Sequence, residues 1–220
     1  MDSNYNLGGL INRIKARLKD AEYSEDDIIQ FINDAYFEIL GDAEYQFLEK
    51  VYVATTQQGG PLLLPRDFQQ TILLTADNEK GLHTFNYISK DDFFAEPRET
   101  STKNYKYTIF GNNLFYGLPD ISDEEVDGDE QFYTLKLYYL AKPVALVNST
   151  DTPVIPAEFG EALLLGALCR AEQCRDNFDY AQIYENKKNE LVINMKARYC
   201  PRNQRGENRA ELPVKQMLRH

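Results

Sequence analysis

The spacing of apolar residues predicts two helices at the start of the chain. Between residues 7 and 18 apolar positions recur every three or four residues with bases between them, which is typical of a short amphipathic helix. A second pattern follows Ser24, whose hydroxyl can cap a helix while Asp27 completes a capping box. The expected buried stripe of this second helix is Ile28, Phe31, Ile32, Ala35, Tyr36, Ile39 and Leu40.

Between residues 47 and 154 the pattern changes to the alternation of apolar and polar residues that is typical of strands. Segments 47–55 and 62–64 flank a glycine turn and are expected to form a hairpin. Segments 105–110 and 114–117 flank Gly-Asn-Asn and are expected to form a second hairpin, because these residues tolerate positive φ. Residues 131–141 are predicted to form the longest strand.

Two more helices are predicted between residues 155 and 199. Pro156 opens a long apolar run, and a polar break at 175–179 separates it from a second run, so that an antiparallel helical hairpin is expected. The second run is expected to bury Tyr180, Ile183, Tyr184, Lys187, Leu191, Val192 and Met195. The simplest arrangement is an α+β chain, in which two N-terminal and two C-terminal helices form a four-helix bundle.

The domain organisation follows from these elements. Residues 1–46 and 155–199 are expected to form the bundle, residues 47–154 a β-rich insertion between the helix pairs, and residues 200–220 an extended C-terminal tail. No apolar run is long enough to span a membrane, and no signal peptide is expected. The three cysteines have no ligand-like spacing and are expected to be free thiols.

Charge is distributed unevenly along the chain. The net charge of −11 argues against general coating of nucleic acid, which requires surplus bases. An acidic loop within the β-rich region contains Asp123, Glu124, Glu125, Asp127, Asp129 and Glu130. The C-terminal tail is net basic and combines arginines with apolar anchors, namely Arg202, Arg205, Arg209, Leu212, Val214, Met217 and Leu218. Such a segment is expected to become ordered on a partner, although a solvated terminus is the simpler interpretation.

Reactive side chains are too few to predict an enzyme. The chain has only two histidines, His83 and His220, and it lacks a glycine-rich phosphate loop. The segment 123–128 approaches a calcium-loop pattern, but Glu125 stands at its third position and Thr134 at its twelfth, where a bidentate glutamate is required. We therefore predict no catalytic residue, no metal site and no cofactor.

Four short motifs resemble the head-to-tail adaptor (connector) proteins of tailed bacteriophages, including the gatekeeper-type adaptors of short-tailed phages. Their order and spacing carry the resemblance. The motifs are Tyr-Ser-Glu-Asp-Asp-Ile at 23–28 with Ile-Asn-Asp-Ala at 32–35, Leu-Pro-Arg-Asp-Phe at 64–68, Tyr-Tyr-Leu-Ala-Lys-Pro at 138–143, and Ile-Pro-Ala-Glu-Phe at 155–159 with the helix after it.

The resemblance implies a homo-oligomeric ring, typically of twelve copies, bound beneath the portal protein at the head–tail junction of the virion. It implies assembly in the bacterial cytoplasm, without a membrane, and a channel through which genomic DNA passes without sequence-specific binding. By charge and analogy, the tail (200–220) is expected to reach the portal or a neighbouring subunit. The acidic loop is expected to face the next tail component, which can be a nozzle, a stopper or a tail tube.

Two other functions remain open from the sequence. One is a small helical regulatory or interaction module that does not assemble into rings. The other is a metal-assisted hydrolase that uses Asp123 and Asp127 of the acidic loop.

Overall fold

A computed structural model describes residues 5–18, 23–56, 59–78, 81–95, 105–118 and 132–200. The chain divides into two compact units. The helical unit is drawn from both ends of the chain, within Met1–Leu48 and Pro143–His220, and the β-rich unit is Glu49–Lys142. A helical domain that is interrupted by a β-rich insertion therefore organises the fold.

Five α-helices occur in the described residues. Their bounds are α1 Leu7–Leu18, α2 Glu25–Gly41, α3 Lys90–Ala95, α4 Gly160–Cys174 and α5 Phe178–Tyr199, with 3₁₀ turns at Gln46–Leu48 and Ala157–Phe159. The predicted capping box is present at the start of α2. The Asp27 amide donates to the Ser24 hydroxyl at 3.2 Å, and the Ser24 amide donates to the Asp27 carboxylate at 2.9 Å.

Within the described ranges, eight strands form two four-stranded sheets. Their bounds are β1 Glu49–Thr56, β2 Gly60–Leu63, β3 Phe68–Asn78, β4 Gly81–Thr84, β5 Asn86–Tyr87, β6 Lys106–Phe110, β7 Asn113–Tyr116 and β8 Tyr133–Ala141. One sheet has the order β1-β8-β3-β4 and the other β2-β7-β6-β5. All pairs are antiparallel except β5 with β6. Side chains of both sheets share one apolar core, which includes Leu74, Leu114, Leu135 and Leu137.

The structure confirms one predicted hairpin and contradicts the other. Strands β6 and β7 pair across Gly111, which has φ +62°. Strands β1 and β2, by contrast, belong to different sheets, because β1 pairs with β8 and β2 with β7. The chain therefore passes from one sheet to the other between β1 and β2. The longest strand is β3, with 11 residues, rather than β8 with 9.

The predicted four-helix bundle is wrong. In such a bundle each helix buries one stripe toward a shared axis. Here α4 is central and buried almost all round, and α1, α2 and α5 pack on it. The buried residues of α4 are Gly160, Ala162, Leu163, Leu164, Leu165, Gly166, Ala167, Leu168, Cys169, Ala171 and Glu172. The fold is α+β, with three helices around a fourth and a large β-rich part.

Helix α5 also differs from its predicted pattern. It buries only Ala181, Lys188, Val192 and Met195, whereas Tyr180 and Ile183 are exposed. Glu158, just before α4, accepts hydrogen bonds from Arg198 and Tyr199 at the end of α5. At the other end of the pair Asn177 donates to Glu172. Contacts at both ends of the pair therefore hold α4 and α5 side by side and antiparallel, as the sequence predicted.

Gly166 lies where α4 closely approaches two of its neighbouring helices, α2 and α5. A Cβ built on Gly166 would lie 2.7 Å from the Cβ of Ala35 on α2 and 3.4 Å from the Cδ of Lys188 on α5. Carbon atoms do not approach to 2.7 Å without displacement, so the absence of a side chain at Gly166 sets the spacing of the three helices.

Candidate interaction surfaces

The predicted site residues lie outside the described residues. This holds for the whole acidic loop (Asp123, Glu124, Glu125, Asp127, Asp129 and Glu130) and for the tail (Arg202, Arg205, Arg209, Leu212, Val214, Met217 and Leu218). The geometry that bears on function is therefore that of the helical unit, of the contacts among the four motifs and of the exposed surfaces.

Lys188 is the most constrained charge in the helical unit. Its side chain is only 4% exposed, and its Nζ atom lies 2.5 Å from Glu38 on α2 and 2.8 Å from Glu185 on α5. Arg170 on α4 also binds Glu38, at 2.6 Å. Burial alone would lower the pKa of Lys188, but the two carboxylates outweigh it and the pKa is raised. The cluster thus ties α2, α4 and α5 together through one buried cation.

The pKa of Glu38 moves in the direction that this cluster predicts. Burial by itself would raise it, but hydrogen bonds and charge from Lys188 and Arg170 outweigh burial and lower it. A carboxyl group with a lowered pKa stabilises the fold above its unfolded pKa of about 4, and this contribution disappears as the pH falls through the folded value. The cluster therefore loses its stabilising effect only in acid.

Asn33 of the Ile-Asn-Asp-Ala motif clasps the segment that leads from the β-rich unit back to the helices. Its Nδ2 atom donates to the carbonyl groups of Ile29 and Leu146, and its Oδ1 atom accepts the Leu146 amide at 2.8 Å. Backbone carbonyl groups further along the same segment accept hydrogen bonds from the amides of Leu7 and Gly8 at the start of α1. The Asn33 side chain therefore satisfies both the amide and the carbonyl group of Leu146, which is buried, as a neighbouring β-strand would.

We expect Asn33→Ala to lower the free energy of unfolding by about 2 kcal/mol, because it orphans the amide and carbonyl groups of Leu146. Urea unfolding followed by helical circular dichroism measures this change. Asn12→Ala, at an exposed asparagine of α1, is the matched control and should change the free energy by less than about 0.5 kcal/mol. Equal losses in both variants would contradict the role of the clasp.

Two of the four motifs meet in the β-rich unit. Asp67, from the Leu-Pro-Arg-Asp-Phe motif, accepts hydrogen bonds from Lys50 at 2.6 Å and from the hydroxyl of Tyr139 at 3.0 Å. Its carbonyl group accepts the amide of Lys142, at the end of the Tyr-Tyr-Leu-Ala-Lys-Pro motif. The hydrogen bond from Lys50, followed by that from Tyr139, lowers the pKa of Asp67 although burial opposes it. These motif residues therefore hold β1, β3 and β8 in register.

Strand β1 leaves an open edge of its sheet among the described strands. The other three edge strands are short: β2 and β4 have four residues and β5 has two, and β2 also contains Pro61. Strand β1 has eight residues without glycine or proline, and Val51 and Val53 at its centre are about half exposed. Short strands and proline protect sheet edges from further pairing, and β1 has neither protection.

Comparison with known protein families decides what these motifs belong to. A model of the SU10 adaptor protein family matches residues 5–210, nearly the whole chain. The chain belongs to the SU10 adaptor protein family. The resemblance to phage head-to-tail adaptors that the four motifs indicated is thereby confirmed. No curated protein matches the chain.

Membership of the SU10 adaptor family makes the chain a bacteriophage adaptor and a component of the virion. An adaptor of this family interacts with other components of the phage head or tail. Within the described ranges no group of three or more histidine, cysteine, aspartate or glutamate side chains could hold a metal ion. In the same residues no helix is long and apolar enough to cross a membrane.

Proposed function

We propose that this protein forms a ring of twelve copies beneath the portal, extends the DNA channel and docks the next tail component. The observation that carries the proposal is the match of the adaptor family to residues 5–210. A ring requires a head-to-tail contact whose rotation closes. The acidic chain, with its net charge of −11, would repel the phosphates of genomic DNA and let it slide without sequence-specific contacts.

The two charged extensions have separate roles in this proposal. The C-terminal tail, residues 200–220, binds the portal through its arginines and apolar anchors, and the acidic loop of the β-rich region, 47–154, faces the next tail component. Two observations support this division. The net charges of the two segments have opposite signs, and adaptors of this family lie between the head and the tail. The helical residues 1–46 and 155–199 form the body that is repeated around the axis.

Truncation before Pro201 is expected to abolish binding to the portal protein while the helical circular dichroism of the body is retained. The physical reason is that the truncation removes every proposed portal contact but leaves α5, which ends at Tyr199, complete. Electron microscopy of the purified chain with the portal of the same phage measures ring formation and docking.

A matched pair of full-length variants sharpens this test. Reversing Arg202, Arg205 and Arg209 to glutamate should prevent portal docking and leave binding of the next tail component intact. Replacing Asp123, Glu124 and Glu125 by serine should do the opposite. Portal docking by the truncated chain would refute the role of the tail, and particles without rings in every mixture would refute the proposed function.

A further inference from the structure

A groove runs between α1, α4 and α5 on one side of the helical unit. Its floor consists of Leu165 on α4 and of Tyr184 and Leu191 on α5, and its rims carry Arg17 and Lys187. Tyr184 and Leu191 are partly exposed, whereas Leu165 is buried. The groove thus combines an apolar base with charged edges, which carry Glu161 and Glu190 as well as the two bases.

The charges at the groove are nearly balanced, with one base in excess once Arg13, a partner of Glu161, is included. Arg13 and Arg17 share a single carboxylate, that of Glu161, at 2.6 and 2.8 Å. Lys187 has no ion-pair partner among the described residues, and the only other acid of the lining is Glu190. The lining itself has two bases and two acids, and Arg13, which binds Glu161 from outside the lining, brings the local balance to three bases and two acids. An acidic partner with an apolar centre would complement this balance.

The solvent-facing side of α2 has the complementary chemistry. Asp26, Gln30, Asp34, Phe37 and Gly41 recur at steps of four and three residues, so they form one stripe opposite the buried face of α2. Phe37 is 40% exposed, and both aspartates lack an ion-pair partner among the described residues. We name these five residues the α2 stripe; it has two negative charges and one exposed aromatic ring.

The α2 stripe and the groove lie on opposite sides of the central helix. Arg170 of α4 reaches Glu38 on α2, whereas Glu161 of α4 binds the arginines of α1 at the groove. Arg170 follows Glu161 by nine positions. At 100° per residue this is two and a half turns, so the two residues lie on opposite sides of α4. Two complementary surfaces on opposite sides of one subunit give a head-to-tail contact, which is the kind that closes into rings.

We propose that the α2 stripe of one copy docks in the groove of the next copy. Phe37 enters the apolar floor between Tyr184 and Leu191, and Asp34 pairs with Lys187 of the neighbouring copy. This inference rests on the proposed ring, and it names the surfaces that build it. Arg17 and Asp26 extend the same charge pairing along the groove.

Charge exchange tests the contact. Asp34→Lys or Lys187→Glu alone places like charges together at every subunit contact and should raise the protein concentration for half-assembly about tenfold or more. The double variant Asp34→Lys with Lys187→Glu restores an opposite pair at each contact and should return that concentration to within about threefold of the wild type. Lys142→Glu, at an exposed lysine of the β-rich unit, is the matched control and should have no effect.

Cysteine cross-linking tests the direction of the contact. In a Cys174→Ser and Cys200→Ser background, Asp34→Cys together with Lys187→Cys should give a ladder of oxidised oligomers up to the closed ring, with portal protein present. Either cysteine alone should give only monomers, because the contact joins two different surfaces.

The outcomes separate this inference from the proposed function. If the wild-type chain forms rings but the single charge reversals assemble equally well, or if the paired cysteines give no ladder, the named surfaces are wrong and the ring stands. If the wild-type chain forms no ring even with portal, both fail.

Discussion

Replacing Glu38 and Glu185 together by glutamine is expected to lower the free energy of unfolding by about 4 kcal/mol. The change leaves the ammonium group of Lys188, which is only 4% exposed, without a counter-charge. A buried charge that loses its partners incurs the full cost of its transfer from water, which exceeds the net value of the ion pair itself. Urea unfolding at pH 7, followed by helical circular dichroism, measures this loss.

The pH dependence of this variant should have the opposite sign to that of the wild type. In the wild type the pKa of Lys188 is raised by its carboxylates, so its stabilising contribution is complete below about pH 10 and is lost as the pH rises through the folded value. In the double variant burial acts alone and lowers that pKa. The folded state then releases its proton first, so stability should increase as the pH rises toward 10.

Lys188→Met provides the control for this interpretation. It removes the buried charge, and it leaves Glu38 paired with Arg170 and Glu185 partly exposed. A hydrophobic replacement of similar length should therefore cost less than about 1.5 kcal/mol and should abolish the alkaline change in stability. A loss in Lys188→Met as large as that in the double glutamine variant would show that packing, rather than the buried charge, is responsible.

Gly166→Val is expected to destabilise the helical unit by about 3 kcal/mol. Its Cβ would lie 2.7 Å from the Cβ of Ala35, and its methyl groups would meet Lys188, so α2 and α5 must both move away from α4. The shift would also stretch the ion pairs of Lys188, which span the same three helices. Thermal or urea unfolding measures the loss.

Gly41→Ala, at an exposed glycine of α2 in the same unit, is the matched control. A Cβ at Gly41 meets nothing within 4 Å, and alanine favours the helical backbone over glycine. This variant should be neutral or more stable by up to about 1 kcal/mol. If both glycine variants lose equal stability, the close approach at Gly166 is not the cause.

Local signals in the sequence predicted the elements of this fold well. The Ser24 and Asp27 capping box, the stripe of α2 and the β6–β7 hairpin each depend on residues within a few positions of one another. Each is present, except that Phe31 of the predicted stripe is only partly buried. The sequence also contained a signal against the predicted four-helix bundle. Leu163, Leu164 and Leu165 are consecutive and cover about 200° of a helix, which a single stripe cannot accommodate. A helix that is apolar all round is a central helix.

Long-range partners could not be found by periodicity. The spacing of apolar residues placed Lys187 on the buried face of α5, but the buried lysine is Lys188, whose partner Glu38 is 150 positions away in the sequence. Likewise the turn after β1 indicated a local hairpin, whereas β1 pairs with β8, which lies far along the chain. Register across a sheet depends on which faces must be buried together, and this is a property of the whole unit.

The functional predictions had a different basis. The four motifs indicated the adaptor family because their order is distinctive, and the structure gives physical roles to several of their residues. Asn33 clasps Leu146, Asp67 links three strands, and Glu158 holds the end of α5. None of these roles could be inferred from charge or spacing alone, since each depends on a backbone group or a side chain distant in sequence. The predicted roles of the acidic loop and the tail remain predictions.

The discontinuous helical unit has a consequence for synthesis on the ribosome. Helix α2 ends at Gly41, but α4, on which it packs, begins at Gly160. At translation rates of about 5–20 residues per second, the apolar face of α2 waits roughly 6–24 s for its partner to be made. The strand pairs of the β-rich unit all lie within Glu49–Lys142 and can close during that interval. The first helices of the nascent chain therefore pack only after α4 has been synthesised. Until then their exposed isoleucines are candidates for chaperone binding.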